Sequence, residues 1–364
     1  MFTSNVGKII FRPYFKSPQN AFKSKWAWGY RPNVTNICEK FKLQARRSGT
    51  IALSPPTEVS SLGRNVVGFW LLGCSGMVFG AVILGGVTRL TESGLSMVTW
   101  KLFGEKLPYG HRMWGRALGA AFFIPAALFW ARGWFKPGMK KRIAAFGTLI
   151  GLQGLMGWYM VKSGLEDRFH GESDVPRVSQ YRLAAHLSLA FILYTLMLWS
   201  SLDHLIPAQK LAGAVTASAR RFRWLTHTCA FVAGLDAGLV YNSFPKMADR
   251  WIPDDIMAFS PKMKNFTENP TTVQFNHRVL GTTTLALITG MWYLSRKLKL
   301  PPRAHVAATA VAVMGWTQVV LGISTLLMYV PIPLAASHQS GSLVLLSLAV
   351  WLTHELKYVK KLPK

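Results

Sequence analysis

Beyond Arg64 the chain alternates apolar stretches of membrane-spanning length with short polar connections. A helix needs about 20 apolar residues to cross a bilayer. Inside lipid it must also satisfy every backbone polar group within itself. A chain written this way is confined to a bundle of membrane helices. Eight candidate spans are legible: 66–86, 113–130, 143–161, 183–202, 225–240, 279–294, 306–328 and 340–354. The fifth is the weakest, because it is short and carries His227 and Asp236. An even number of spans returns both ends to one side.

The charge of +27 on 364 residues raises nucleic-acid binding as a competing class. Long uncharged apolar runs exclude it, since a basic binding domain carries its charge on a soluble fold. Half of the residues are hydrophobic, which also excludes disorder across the chain. Cys38, Cys74 and Cys229 show no paired spacing, so neither a disulfide framework nor a cysteine metal site is implied. The basic residues have a better use. Ten Lys or Arg against the single acid Glu39 lie between Met1 and Thr50, among Ser, Asn and aromatics. That is the composition of a mitochondrial transit peptide, without the apolar core of a secretory signal. The plainer alternative is a solvated basic tail. Seventeen more crowd the connections after the second, fourth and sixth spans and the C-terminus, from Arg132 to Lys364. By the positive-inside rule this face is the matrix, which holds both termini of the mature chain.

Four histidines occupy one depth in this arrangement. His111, His186, His277 and His338 each lie at or near the start of an even-numbered span, on the side away from the basic face. A lone interfacial histidine is ordinarily a hydrogen-bonded helix-end residue, which is the reading for His204 and His354. Four at matched positions suit two axial pairs of neutral imidazoles on haem iron. The chain also repeats itself. "GHRMWGRALG" around His111 parallels "NHRVLGTTT" around His277, "RLAAHLSLAF" around His186 parallels "PLAASHQSGSL" around His338, and Gln153 matches Gln318. This is a parallel repeat of two four-helix halves, each with one histidine pair between facing helices. Arg112 and Arg278 suit haem propionates, which favour the guanidinium fork. Anchoring their helices at lipid headgroups is the other use of such residues. Glycines such as Gly80, Gly85, Gly86 and Gly157 let helix backbones approach closely.

Several motifs go further. "GGVTRLTESGLSM" at 85–97, "YGHRMWGR" at 109–116, "GWYMVKSGL" at 157–165 and "VPRVSQYRLAAHL" at 175–187 resemble haem A synthases of the mitochondrial type. So do "AFVAGLDAGLVYNSFPKM" at 230–247, "ENPTTVQFNHRVLG" at 268–281 and "ASHQSGS" at 336–342. The resemblance implies oxidation of the C8 methyl group of haem O to a formyl group, by successive hydroxylation, for cytochrome c oxidase. It implies haem b (iron-protoporphyrin IX) on His277 and His338, and the substrate haem on His111 and His186. It further implies haem O delivered from a haem O synthase, a ferredoxin-type electron donor, and a place in the inner-membrane lipid with possible homo-oligomers.

Two departures from the family pattern stand out. A family glutamate three residues before the first histidine is replaced by Pro108, and the nearest carboxylate is Glu105. The loop between Met97 and Tyr109 and the segment upstream of Ala230 both look shortened. The expected fold is an all-α integral membrane protein, with eight transmembrane helices as two parallel-repeat four-helix bundles. Its expected parts are a transit and N-terminal segment (1–62), the substrate-haem half (63–205), a matrix linker (206–222), the haem b half (223–356) and a basic matrix tail (357–364). Three other classes compete: a catalytically impaired haem-binding or assembly protein, a bis-haem electron carrier, and a transporter. The last leaves the matched histidines unexplained.

Overall fold

A computed structural model of the chain describes residues 60–91, 106–163, 178–206 and 241–357. The transit segment, the linker at 206–222 beyond Ile206, the fifth span, Glu105 and the tail beyond Lys357 lie outside the described residues. Those described form seven α-helices: α1 (Ser61–Leu90), α2 (Lys106–Ala131), α3 (Pro137–Ser163), α4 (Gln180–Leu205), α5 (Pro270–Arg296), α6 (Pro302–Leu327) and α7 (Ile332–Glu355). Each matches one of the expected spans, the 306–328 span running one residue past the end of α6 and the other six lying wholly within their helices. Six are long and apolar enough to cross a membrane, and α5 is the exception. Its first turns carry Thr271, Thr272, Gln274, His277 and Arg278, which dilute an otherwise apolar helix.

Helix ends follow local chemistry. Ser60 caps α1, its Oγ accepting from the Gly63 amide at 3.1 Å. Asn269 caps α5, accepting from the Thr271 amide at 3.0 Å, with Pro270 at the first helical position, where its missing N–H is no loss. Pro301 and Pro331 precede the other C-terminal helices, each of which also has proline in its first turn. Between 241 and 269 the chain forms a folded loop with two short 3₁₀ turns, at 254–257 and 262–266. Buried Asn265 and Asn269 bind one another and the carbonyls of Phe259, Lys262 and Asp255, which holds this loop without a hydrophobic core of its own.

Two apolar clusters make the interior. The first joins α1 to α4 through Val67, Leu71, Phe122, Leu193 and Met197, and takes in Leu343 and Val350 of α7. The second joins α5, α6 and α7 through Met291, Ala304, Ala307, Ala308, Val311 and Leu352. Small residues on one face of α6 bring its backbone close to its neighbours. Helix α7 therefore belongs to both cores and cements the halves. Large apolar side chains such as Phe69, Ile124, Leu155 and Trp316 remain exposed. An aqueous surround would not tolerate so many; lipid does. Cations lie over aromatic rings near the helix ends, as for Lys140 on Trp130 and Lys297 on Tyr293 at one end and Arg182 on Tyr159 at the other. Such rings with basic neighbours mark the two edges of a membrane slab. The protein is a multi-pass membrane protein.

Candidate functional site

The four histidines singled out from the sequence stand at equivalent places in their helices. His111 is the sixth residue of α2, His186 the seventh of α4, His277 the eighth of α5 and His338 the seventh of α7. All four line one cavity of about 1430 Å³, with Arg112 and Arg278. Single small-molecule pockets run to about 300–1,000 Å³, so this space exceeds the needs of one ligand.

The rings pair as the repeat requires. His277 and His338 face each other with ring centroids 6.2 Å apart and planes at 81°. Two imidazole–metal bonds of about 2.0–2.1 Å, with about 1.1 Å from each nitrogen to its ring centre, predict a separation of about 6.3 Å. The donor set and its spacing fit an axial pair on one haem iron. In the other half His111 and His186 line the same cavity from α2 and α4. The Nδ1 atoms of both are buried without a hydrogen-bond partner. Neutral imidazole in an apolar chamber suits metal ligation, which needs the unprotonated nitrogen.

Glycines shape these ring positions. A side chain at Gly85 would stand 3.2 Å from His111 Cε1, one at Gly157 3.3 Å from His186 Cε1, and one at Gly322 3.0 Å from His338 Cε1. Three of the four rings thus rest against a bare helix backbone, which sets how far each histidine can withdraw. The sequence contained the signal in a form stronger than glycine count. Gln153 and Gly157 in "QGLMG", and Gln318 and Gly322 in "QVVLG", repeat one Gln-x-x-x-Gly pattern with both residues on one helix face.

Arg278 is held by protein. Its guanidinium donates to the carbonyls of Tyr241 at 2.9 Å and Lys246 at 3.2 Å, while Nε stays buried without a partner. Gln274, one turn before His277, accepts from the Tyr241 amide at 2.9 Å and donates to its carbonyl at 3.1 Å. Arg278 and Gln274 together tie the loop after the fifth span onto the helix that bears the ligand. The equivalent position before His111 is Pro108, in the first turn of α2, which has no side-chain group to make such a tie. Proline is tolerated there because first-turn amides lack intrahelical acceptors. Trp158 also lines the cavity, while Trp114 donates to the Met77 carbonyl at 2.6 Å.

Two further histidines, His204 and His354, are engaged by the protein itself. His204 Nδ1 pairs with the Ser200 carbonyl at 2.7 Å. His354 is fully buried at the opposite end of the bundle, bonded through Nε2 to Asp203 Oδ1 at 3.1 Å.

The model of the COX15-CtaA family, described as cytochrome oxidase assembly protein, matches residues 68–110 and 106–350. The chain belongs to the COX15-CtaA family. It is 50% identical to the heme A synthase COX15 of Bos taurus, over 91% of this chain and 90% of that one. It is 49% identical to that of Homo sapiens, over 91% of each. A bacterial heme A synthase, from Nitrosospira multiformis, is 38% identical over 85% of this chain and 98% of its own. The alignment with the Bos taurus relative runs over 381 positions, more than the 364 residues of this chain, so it includes stretches this chain lacks. The family match breaks at residues 106–110, beside the first loop that looks shortened.

Proposed function

We propose that the protein is a haem A synthase of the mitochondrial inner membrane, with both termini in the matrix. It oxidises the C8 methyl group of haem O by two hydroxylations, each consuming one dioxygen, two electrons from the donor and two protons and releasing one water, and the resulting gem-diol loses water to leave the formyl group of haem A. The observation that carries this reading is the 6.2 Å His277–His338 pair, set in a family member whose other half repeats the arrangement. His277 and His338 hold haem b, and His111 and His186 hold the substrate. Bound there, haem b supplies a one-electron relay from a ferredoxin-type donor in the matrix. The residues of the chain do the rest. The four histidines orient both macrocycles, Arg112 and Arg278 face propionates, and the apolar helix walls exclude water from the reacting methyl group. Haem O comes from a haem O synthase. The fold of this reading is eight transmembrane helices in two four-helix halves, to which the seven described helices would belong.

A reduced-minus-oxidised spectrum of the purified protein tests this. A low-spin b-type signal is expected, lost in His277→Ala and His338→Ala and largely kept in His111→Ala. No haem signal in the parent protein would sink the reading.

The broken family match and Pro108 favour a second reading, in which this form binds haem but oxidises it poorly or not at all. Restoring the longer first loop, with glutamate at position 108, and comparing haem A by pigment extraction decides between them. Equal yields from both forms would exclude the impaired reading.

A further inference from the structure

The repeat places a glutamine beside each histidine pair. Gln153 and Gln318 both line the cavity, each one turn from the glycine on which a histidine ring rests. In each helix the glutamine is the deeper of the two, farther from the end where Arg112 or Arg278 stands. Four residues of helix rise about 6 Å. That is the distance from a haem iron to the substituents on the edge of its ring.

The two glutamines are not equivalent. Gln318 is pressed against α7 at Gly341, where any side chain would overlap its Nε2, and only 6% of it is exposed. Packing alone holds it there, since neither atom of its amide has a hydrogen-bond partner. The same register in the first half puts Leu189 three residues after His186, where Gly341 follows His338. A leucine there offers Gln153 no such notch. Gln153 remains half-buried, with its Oε1 enclosed and without a hydrogen-bond partner. An enclosed amide oxygen without a partner costs free energy until a donor reaches it.

We propose that Gln153 is a specificity-determining residue that accepts a hydrogen bond from the hydroxyl of the substrate's hydroxyalkyl side chain, and so separates haem O from haem b. This rests on the assignment of the first half as the substrate site. Haem O carries a hydroxyethylfarnesyl group where haem b carries vinyl, on the edge of the macrocycle away from the propionates. With the propionates toward Arg112 and toward Arg89 in the last turn of α1, both of which line the cavity, that hydroxyl comes to the depth of Gln153. Vinyl offers no donor. A site built to bond a hydroxyl discriminates strongly against an analogue that lacks it. Gln318, withdrawn into its notch, meets the vinyl edge of haem b without being required by it.

The experiment uses full-length protein purified from cells that make both haem b and haem O, with extracted pigments separated by chromatography. Gln153→Leu is expected to lower the ratio of bound haem O to haem b by about tenfold, the worth of one enclosed hydrogen bond. The b-type spectrum from His277 and His338 stays, and Gln318→Leu leaves the ratio unchanged. Should Gln153→Leu fail to accumulate, Gln153→Glu, which keeps an acceptor, must retain more haem O than Gln153→Met. Titration with iron haematoporphyrin, whose ring bears hydroxyethyl groups, against iron protoporphyrin gives a second readout. The parent protein prefers the former, and Gln153→Leu does not. An unchanged ratio in Gln153→Leu, or an equal fall in Gln318→Leu, overturns the proposal. A parent protein with the b-type signal but no affinity for haem O overturns the substrate-site assignment instead.

Discussion

Both ends of this helix bundle bury histidines, and they treat them oppositely. At the outer end His111, His186, His277 and His338 face a shared cavity, three of them against bare glycine backbone. At the inner end His354 is fully buried, packs edge-on against Trp199 at 5.2 Å, and bonds Asp203. Asp203 is also bound by Lys357 and by Arg142 at 3.4 Å. The neighbouring residue, Glu355, is fully buried too, accepting from Arg303 at 3.0 Å and from the Trp351 indole at 3.1 Å. The inner end ties His354 through Nε2 and Glu355 through both oxygens into the protein's own charges, with only His354 Nδ1 buried and unbonded, while the outer end opens on a cavity. A buried imidazole bonded to a carboxylate on another helix holds helices together; one that faces a cavity with a second imidazole across it has the donor chemistry that suits a metal.

The inner network also explains how two halves with separate cores stay in register. Asp203 lies on α4, His354 on α7, and Lys357 just beyond the end of α7. At mid-depth Tyr194 bonds Ser347 across the same seam at 2.6 Å. At the outer end Tyr181 donates to Glu268 at 2.8 Å and Gln180 to the Thr267 carbonyl at 3.1 Å. The seam is thus pinned at three levels, and Gln339, beside His338, fills the space that Gly86 leaves open on α1.

The contrast between the ends is best broken by exchange of consequences. Asp203→Ala strips His354 and Lys357 of their shared carboxylate. It should lower stability by about 2–4 kcal/mol, between the costs of breaking buried and exposed ion pairs. Thermal unfolding in detergent measures this, and an unchanged midpoint would show the inner network to be ornamental. Gly322→Val pushes a branched side chain into the His338 ring. It should remove more than half of the b-type signal per protein while the unfolding midpoint moves by only a few degrees. Full haem occupancy would mean that the glycine seats do not set the ring positions. Tyr194→Phe deletes the single mid-depth bond and should cost about 1 kcal/mol with no spectral change. A spectral change there would couple the seam to the haem sites and blur the distinction between the ends.

Much of this architecture is open to reading before any coordinates. Seven of the eight expected spans coincide with helices, because hydropathy is a property of consecutive residues and lipid demands it locally. The depth of the four histidines is legible for the same reason, since position along a helix of known rise is arithmetic. The polarity of α5 is harder to weigh. Its Thr271, Thr272 and Gln274 serve the 241–269 loop, with Thr271 and Thr272 bonded to Asp255 and Ile256. A span that also anchors a folded loop need not look apolar throughout. Gln153 and Gln318 are visible as a repeated pair, while the glycines one turn beyond them read in sequence only as general packing residues.

Repeated spans of membrane-crossing length, the internal repeat and the shared depth of four imidazoles are all legible in the amino-acid order alone. All three follow from the order of residues along single helices. Helix packing decides how the His277 and His338 rings are set against each other, which glycine seats three of the four rings, why Gln318 withdraws while Gln153 does not, and that His354 belongs to an ion network. Those outcomes depend on how each helix is rotated about its axis against its neighbours. That rotation is set by the packing of all of them together.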